Sequence, residues 1–241
     1  MDTEADTVKN QNNKSRIFNT LDRTTNFQIT EAYKALRTNV QFSVADTEQH
    51  CKLISITSAH PREGKTITTI NFAITLSQTE AKTLVIDCDM RRPRIHRYFN
   101  LESRVGLSNL LSGMCTIEEA IKDTNKPNLK ILPAGLIPPN PAELIASEAM
   151  KKLLDKLSES FDYILFDTPP VNVVSDALTL TNIVDGTIIV VRSAYSTHPE
   201  TKKVLTQFEY AGANVLGFVL NDVTNNASSG YYKKYRYYNY R

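Results

Sequence analysis

The chain has 241 residues, 41% of them hydrophobic, and a net charge of +2; that length suits one α/β domain whose core needs no disulfide staples, and the near balance of charge sets up no global field that would demand nucleic acid. Its three cysteines, Cys51, Cys88 and Cys115, lack CxxC or metal-type spacing, which argues against an iron–sulfur or zinc centre and for a reducing compartment. No stretch approaches the roughly 20 apolar residues of a membrane span, and the polar N-terminus has no signal-type apolar region, so a soluble cytoplasmic protein is expected.

Residues 1–26 are polar and almost without periodicity, and they read as a flexible arm. A helix follows. Thr30 is its candidate cap, and Ile29, Ala32, Tyr33, Leu36 and Val40 share one face at 3.6-residue spacing. The polar side carries Glu31, Lys34 and Arg37, which on charge pattern alone reads as a solvated face.

The apolar run from Lys52 to Ile56 predicts a buried strand. It feeds the loop Ala59-His60-Pro61-Arg62-Glu63-Gly64-Lys65-Thr66, and Ile67, Ile70, Phe72, Ala73, Ile74 and Leu76 then predict a helix. Strand, eight-residue loop ending Gly-Lys-Thr, helix is the phosphate-binding P-loop arrangement. A polyphosphate needs closely spaced N–H donors and a favourable dipole, and a loop opening onto a helix N-terminus supplies both. Glu63, Gly64, Lys65 and Thr66 are the expected contacts, with Thr68 counted beside them. Lys65 adds a point charge on the β/γ phosphates and Thr66 a hydroxyl for Mg²⁺. Ala59 stands where the pattern usually has glycine, and a small residue still permits the turn.

The run 82–89 predicts a second strand ending in Asp87 and Asp89, followed by Arg91, Arg92, Arg94 and Arg97. Carboxylates at the C-terminal end of a parallel strand sit where open α/β sheets bind ligands. The arginines either contact phosphate oxygens or merely neutralise the aspartates or cover a surface. Residues 106–123 read as two short helices around Gly113, 129–134 as a strand, and Met150 to Leu157 as part of a helix.

The stretch from Tyr163 to Asp167, followed by Thr-Pro-Pro, is a Walker B-like strand that places Asp167 beside a Mg²⁺ shell. Strands at 186–191 and 215–221 flank a helix near 198–211. Asn221 ends the last strand, and it reads either as an adenine contact or as a turn residue. This alternation predicts a mostly parallel sheet with helices on both faces, an α/β P-loop NTPase domain over residues 27–224.

Residues 225–241 change character. Tyr231, Tyr232, Tyr235, Tyr237, Tyr238 and Tyr240 are six of the chain's eleven tyrosines, set among four bases and no acid. With no aliphatic residues to build a core, this reads as a flexible tail. It suits an anionic-surface tether or a strip that stacks on single-stranded nucleic acid; beside a P-loop, it suits a set of phosphoacceptors.

Together these residues resemble the bacterial tyrosine kinases (BY-kinases) of capsular and exopolysaccharide biosynthesis, in the form whose cytoplasmic kinase is separate from its membrane activator. The likeness runs from about Glu31 to the C-terminus and rests on EAYKALRTN (31–39), the P-loop, LVIDCDMRRP (84–93), ILFDTPP (164–170) and the tyrosine tail. It implies a deviant Walker ATPase-like fold and an ATP- and Mg²⁺-dependent autokinase that phosphorylates its tail in trans. In that scheme Asp89 and Asp167 complete the metal shell with Thr66. Asp87 orients and deprotonates the acceptor, although either Asp87 or Asp89 can be the base. The resemblance turns Glu31, Lys34 and Arg37 into a ring interface, with lysine where the family has an arginine; lysine lacks the bidentate fork. It implies a membrane activator of the polysaccharide co-polymerase type that recruits the kinase to the inner face of the membrane, and a cognate phosphotyrosine phosphatase. No nucleic acid is expected. The related partition and division-site ATPases carry a lysine at the second loop position, where this chain has His60; a nucleotide-switched positioning ATPase without kinase activity is the alternative.

Overall fold

Seven strands build one sheet, and the central ones are apolar runs whose alternate side chains go to opposite buried faces. The computed structural model describes residues 20–22, 24–45, 51–174 and 176–223. Strands β1 (Lys52–Ser58), β2 (Thr83–Asp87), β3 (Lys122–Asp123), β4 (Leu129–Leu132), β5 (Tyr163–Asp167), β6 (Gly186–Arg192) and β7 (Val215–Asn221) lie in the order β3-β4-β2-β5-β1-β6-β7. All neighbours are parallel except β3 against β4. Among the described residues the helices are α1 (Phe27–Ser43), α2 (Lys65–Ser77), α3 (Ile95–Tyr98), α4 (Leu107–Leu111), α5 (Ile117–Ala120), α6 (Pro141–Ile145), α7 (Glu148–Ser158), α8 (Asp176–Thr179) and α9 (His198–Tyr210).

A parallel sheet is buried on both faces, so its strands are apolar runs rather than alternating ones. On one face Ile54, Ile56, Val85, Ile131, Leu165 and Ile188 meet Ile70, Phe72, Ala73, Ile74 and Leu76 of α2. Helix α1 covers α2 in turn and buries Val40. Every residue of α2 except Ile67 is therefore buried, as expected of a helix with protein on both sides. On the other face Leu84, Ile86, Ile164 and Phe166 pack on Met150, Leu153, Leu154 and Leu157, which recur at the i, i+3, i+4, i+7 spacing of one face of α7. Ser147 caps α7 by accepting from the Met150 N–H. Val204 and Phe208 of α9 close a third cluster with Ile189.

The N-terminal end departs from what its sequence predicts. Asn26, not Thr30, caps α1 and accepts from the Gln28 N–H at 2.8 Å. The segment just before it is docked: Leu21 is buried, its N–H donates to Asn71 Oδ1 at 2.9 Å, and Lys126 Nζ donates to its carbonyl at 3.0 Å. One aliphatic side chain with both backbone groups satisfied holds residues that the polar composition assigned to a loose arm. The two-residue strand β3, antiparallel at the sheet edge, is too short to leave a pattern. Residues 1–19 and the tail 224–241, with all six candidate acceptor tyrosines, lie outside the described residues.

Since β1, β2 and β5 are adjacent and parallel, their C-terminal ends share one rim. There Asp87 lies opposite Asp167 and Ile56 opposite Asp167 in register, so both acids stand beside the loop that leaves β1.

Candidate active site

The loop after β1 runs from a buried Ala59 into α2. Gly64 at the helix cap has φ +93°, and a Cβ there would overlap the Asn221 side-chain amide. Glycine is required on both counts. The loop is stapled from within. The Glu63 side chain is fully buried, its Oε2 accepts from the His60 N–H at 2.7 Å, and Ser196 donates to its Oε1. Asn221 Nδ2 donates to the Glu63 carbonyl at 2.9 Å, and His60 Nε2 sits 3.0 Å from Glu200 Oε1 on α9. These contacts fix the curvature of the loop without using the amides at the start of α2.

Around that helix start the acids gather. Lys65 Nζ lies 3.1 Å from Asp89 Oδ2 and 3.6 Å from Asp167 Oδ1, and Thr66 Oγ1 donates to Asp167 Oδ2 at 2.7 Å. The Asp87 carboxylate is wholly buried, accepting from the Asp89 N–H on one oxygen and from the Arg94 and Ile95 N–H groups on the other. Burial first, and the Asp167 carboxylate second, push Asp87 up to about 8. Burial likewise raises Asp167, against the opposing pull of Lys65 and Thr66. Burial works against the Lys65 ammonium, but Asp167 and Asp89 outweigh it and the amine stays above its ordinary value. Three carboxyl groups thus crowd one ammonium, and Asp87 is the one that keeps its proton near neutral pH.

The residues present fit a triphosphate with Mg²⁺. The N–H groups of Lys65, Thr66 and Ile67 open α2, where helical geometry leaves them no intrahelical acceptor. Thr68 Oγ1 is buried with no hydrogen-bond partner, and Asp167 Oδ1 accepts no hydrogen bond. Among the described residues no group of three or more His, Cys, Asp or Glu side chains could hold a metal ion alone. Mg²⁺ takes one or two carboxylates together with substrate phosphates and water. Thr66, Asp89 and Asp167 are the donors in place. Beside the loop, a cleft of about 850 Å³ runs between Ile29, Tyr33 and Leu36 of α1 and the 219–223 end of β7, floored by Ile67 and Asn71.

The structure thus brings Glu63, Gly64, Lys65, Thr66, Thr68, Asp87, Asp89 and Asp167 together at one rim, with Asn221 against the loop. The α1 trio splits. Glu31 and Lys34 pair at 2.7 Å on the surface, whereas Arg37 turns inward and donates to the Thr75 carbonyl at 2.8 Å. Arg91, of the arginines after β2, forks onto the buried Asp176 at 3.2 and 3.5 Å. The sequence reading missed Ser196, Asn71 and Asp176, none of which belongs to a local pattern.

The AAA domain family matches residues 51–210. CapB of Staphylococcus aureus is 40% identical over 86% of this chain and 90% of its own length. The tyrosine-protein kinase YwqD of Bacillus subtilis is 37% identical over 84% of this chain and 85% of its own length. The solved kinase domain of the Escherichia coli tyrosine kinase ETK superposes with a TM-score of 0.77 at 34% identity, covering 83% of this chain and 78% of that one. The septum site-determining protein MinD of Pyrococcus horikoshii, solved with Mg-ADP, superposes with a TM-score of 0.60 at 25% identity, covering 75% of this chain and 76% of that one. The fold is accordingly that of the deviant Walker P-loop ATPases.

Proposed function

The chain belongs to the bacterial tyrosine kinases of capsular and exopolysaccharide biosynthesis, and from that premise we propose that it transfers the γ-phosphoryl group of ATP to tyrosines in the C-terminal tail of a neighbouring copy. The observation that carries the proposal is the convergence of Lys65, Thr66, Asp87, Asp89 and Asp167 around the start of α2, in a chain whose end holds six tyrosines and no acid.

Phosphoryl transfer passes through a loose transition state, so the protein contributes positioning and charge. The α2 amides, Lys65 and Thr68 hold the phosphates, and Asn221 and the adjoining cleft take the base. Thr66, Asp89 and Asp167 would hold Mg²⁺, which when bound would supply neutralisation of phosphate charge. The tyrosine oxygen forms a bond to the γ-phosphorus as the bond to the β,γ-bridging oxygen breaks, ADP leaves, and the phenolic proton passes to Asp87. A free tyrosine near pKa 10 is almost wholly neutral at pH 7. An acceptor poised near 8 is well matched to take its proton at working pH.

Assembly belongs to the same proposal. Glu31 and Lys34, each about half exposed, make an ion pair worth little within one copy and are free to exchange partners in a ring. The unmodified tail carries four positive charges; each phosphate adds roughly −1.5 to −2, so about three reverse its sign and expel it from a neighbour's acidic site. By its likeness to the capsular kinases, we assign recruitment to the inner membrane face to an activator protein of the polysaccharide co-polymerase type. A cognate phosphotyrosine phosphatase resets the tail. Incubation with Mg·ATP and detection of phosphotyrosine tests the reading. Labelling that vanishes in Lys65→Met supports it, and phosphate release without phosphotyrosine supports a positioning ATPase instead.

A further inference from the structure

Asp176 stands outside every motif of the site, yet its side chain is 1% exposed and receives the Arg91 guanidinium, with Nε 3.2 Å from Oδ2 and Nη2 3.5 Å from Oδ1. Arg91 is itself 45% exposed. It belongs to the turn that carries Asp89, which is closed where the Arg92 N–H reaches both the Asp89 carbonyl and Asp89 Oδ1, each at 3.1 Å. Asp89 Oδ2 meets Lys65 of the P-loop. On the other side, residues 168–174 follow Asp167 in the direction of Asp176. That segment is pinned to the start of the P-loop, since Val171 N–H donates to the Ser58 carbonyl at 2.9 Å and Asn172 N–H to the Ala59 carbonyl at 3.2 Å.

The contacts close a circuit: P-loop, Lys65 to Asp89, the turn after β2, Arg91 to Asp176, the segment after β5, and back to the P-loop. Every join but one uses backbone or a group that faces the phosphates. The exception is the Arg91–Asp176 fork, whose planar two-point geometry fixes orientation as well as distance. We infer that Asp176 is a positioning residue for phosphoryl transfer: through Arg91 it sets the turn that aims Asp89 and keeps it in register with Asp167. The inference rests on the kinase reading for its acceptor, though not for its geometry.

The test is a mutant cycle on the full chain with Mg·ATP, following both tail phosphotyrosine and phosphate release. Displacing an aimed group while leaving the phosphate-binding amides intact should lower kcat about tenfold or more in Asp176→Asn, with KM for ATP within about twofold of wild type. Arg91→Ala should cost as much, Arg91→Lys less, and the Arg91→Ala/Asp176→Asn double variant no more than either single change. Melting temperatures taken in parallel identify the folded fraction. Single losses that multiply in the double variant, wild-type kcat in Asp176→Asn, or an activity loss that only tracks the folded fraction would each overturn the assignment. If the wild-type chain releases phosphate without labelling tyrosine, the kinase reading fails and the cycle is read from phosphate release alone.

Discussion

Asp87 and Asp167 lie directly opposite each other across the β2–β5 pair, both buried, with Lys65 as the nearest cation to Asp167. Such a juxtaposition costs stability, and that cost is measurable. Burial and the Asp167 charge hold Asp87 near 8, far above its ordinary 3.8. Between those values the folded chain keeps a proton that the unfolded chain has lost. The contribution of Asp87 to stability is therefore full below about pH 4 and is lost as pH rises through the window to about 8. Asp87→Asn removes the penalty, so it should melt a few degrees above wild type at pH 8, from about 1 kcal/mol or more, and much closer to wild type at pH 4.5. Thermal melts at the two pH values decide this.

The same raised group should shape the rate profile. If Asp87 takes the phenolic proton, kcat/KM for tyrosine phosphorylation should climb with pH through about 8 and then level off. Asp89→Glu should retain that limb at a lower rate. A flat profile between pH 6.5 and 9 would remove Asp87 from the role and leave Asp89 as the base.

Lys65 is the shared counter-ion of the cluster, so Lys65→Met should act on stability as well as on chemistry. Removing one partner of a buried ion pair leaves uncompensated charge and costs about 3 kcal/mol. Urea unfolding should show that loss near neutral pH, and a smaller one in acid, since burial raises Asp167 and lets it take a proton more readily than a free carboxylate. ATP binding measured by fluorescence should be weakened at both.

Gly64 and Asn221 are coupled through one clash. Gly64→Ala should destabilise the chain by about 1–2 kcal/mol, because its φ of +93° resists a side chain and the new methyl meets the Asn221 amide. In the Gly64→Ala/Asn221→Ala double variant the clash disappears while the dihedral strain persists. Part of the loss, not all, should then return, as read by denaturant unfolding.

The tail should control assembly. Unmodified protein should sediment as an oligomer, with its activator if need be, and the fully phosphorylated form as a monomer. Equal sedimentation of the two forms would refute the switch.

Much of this site is written in local pattern. Apolar runs ending in Asp87, Asp89 and Asp167, and a strand, loop and helix around Gly64-Lys65-Thr66, each encode the side chain and its place on the rim together, because a parallel strand delivers its last residue to that rim. What escaped is what depends on distant partners. Asp176 is one of 26 acids and gains meaning only when Arg91, 85 residues away, is folded against it. Leu21 is a lone aliphatic in a polar stretch until Asn71 and Lys126 receive its backbone. Arg37 has the spacing of a surface stripe, but a helix carbonyl at Thr75 draws it inward.

The most direct measurement is mass spectrometry of residues 224–241 after exposure to Mg·ATP, with Lys65→Met as its control. Phosphate on several of the tyrosines from Tyr231 to Tyr240 in the wild-type chain, and none in the variant, is the expected result. An unmodified tail in a chain that still turns over ATP would contradict the proposal that this rim of acids serves a tyrosine acceptor.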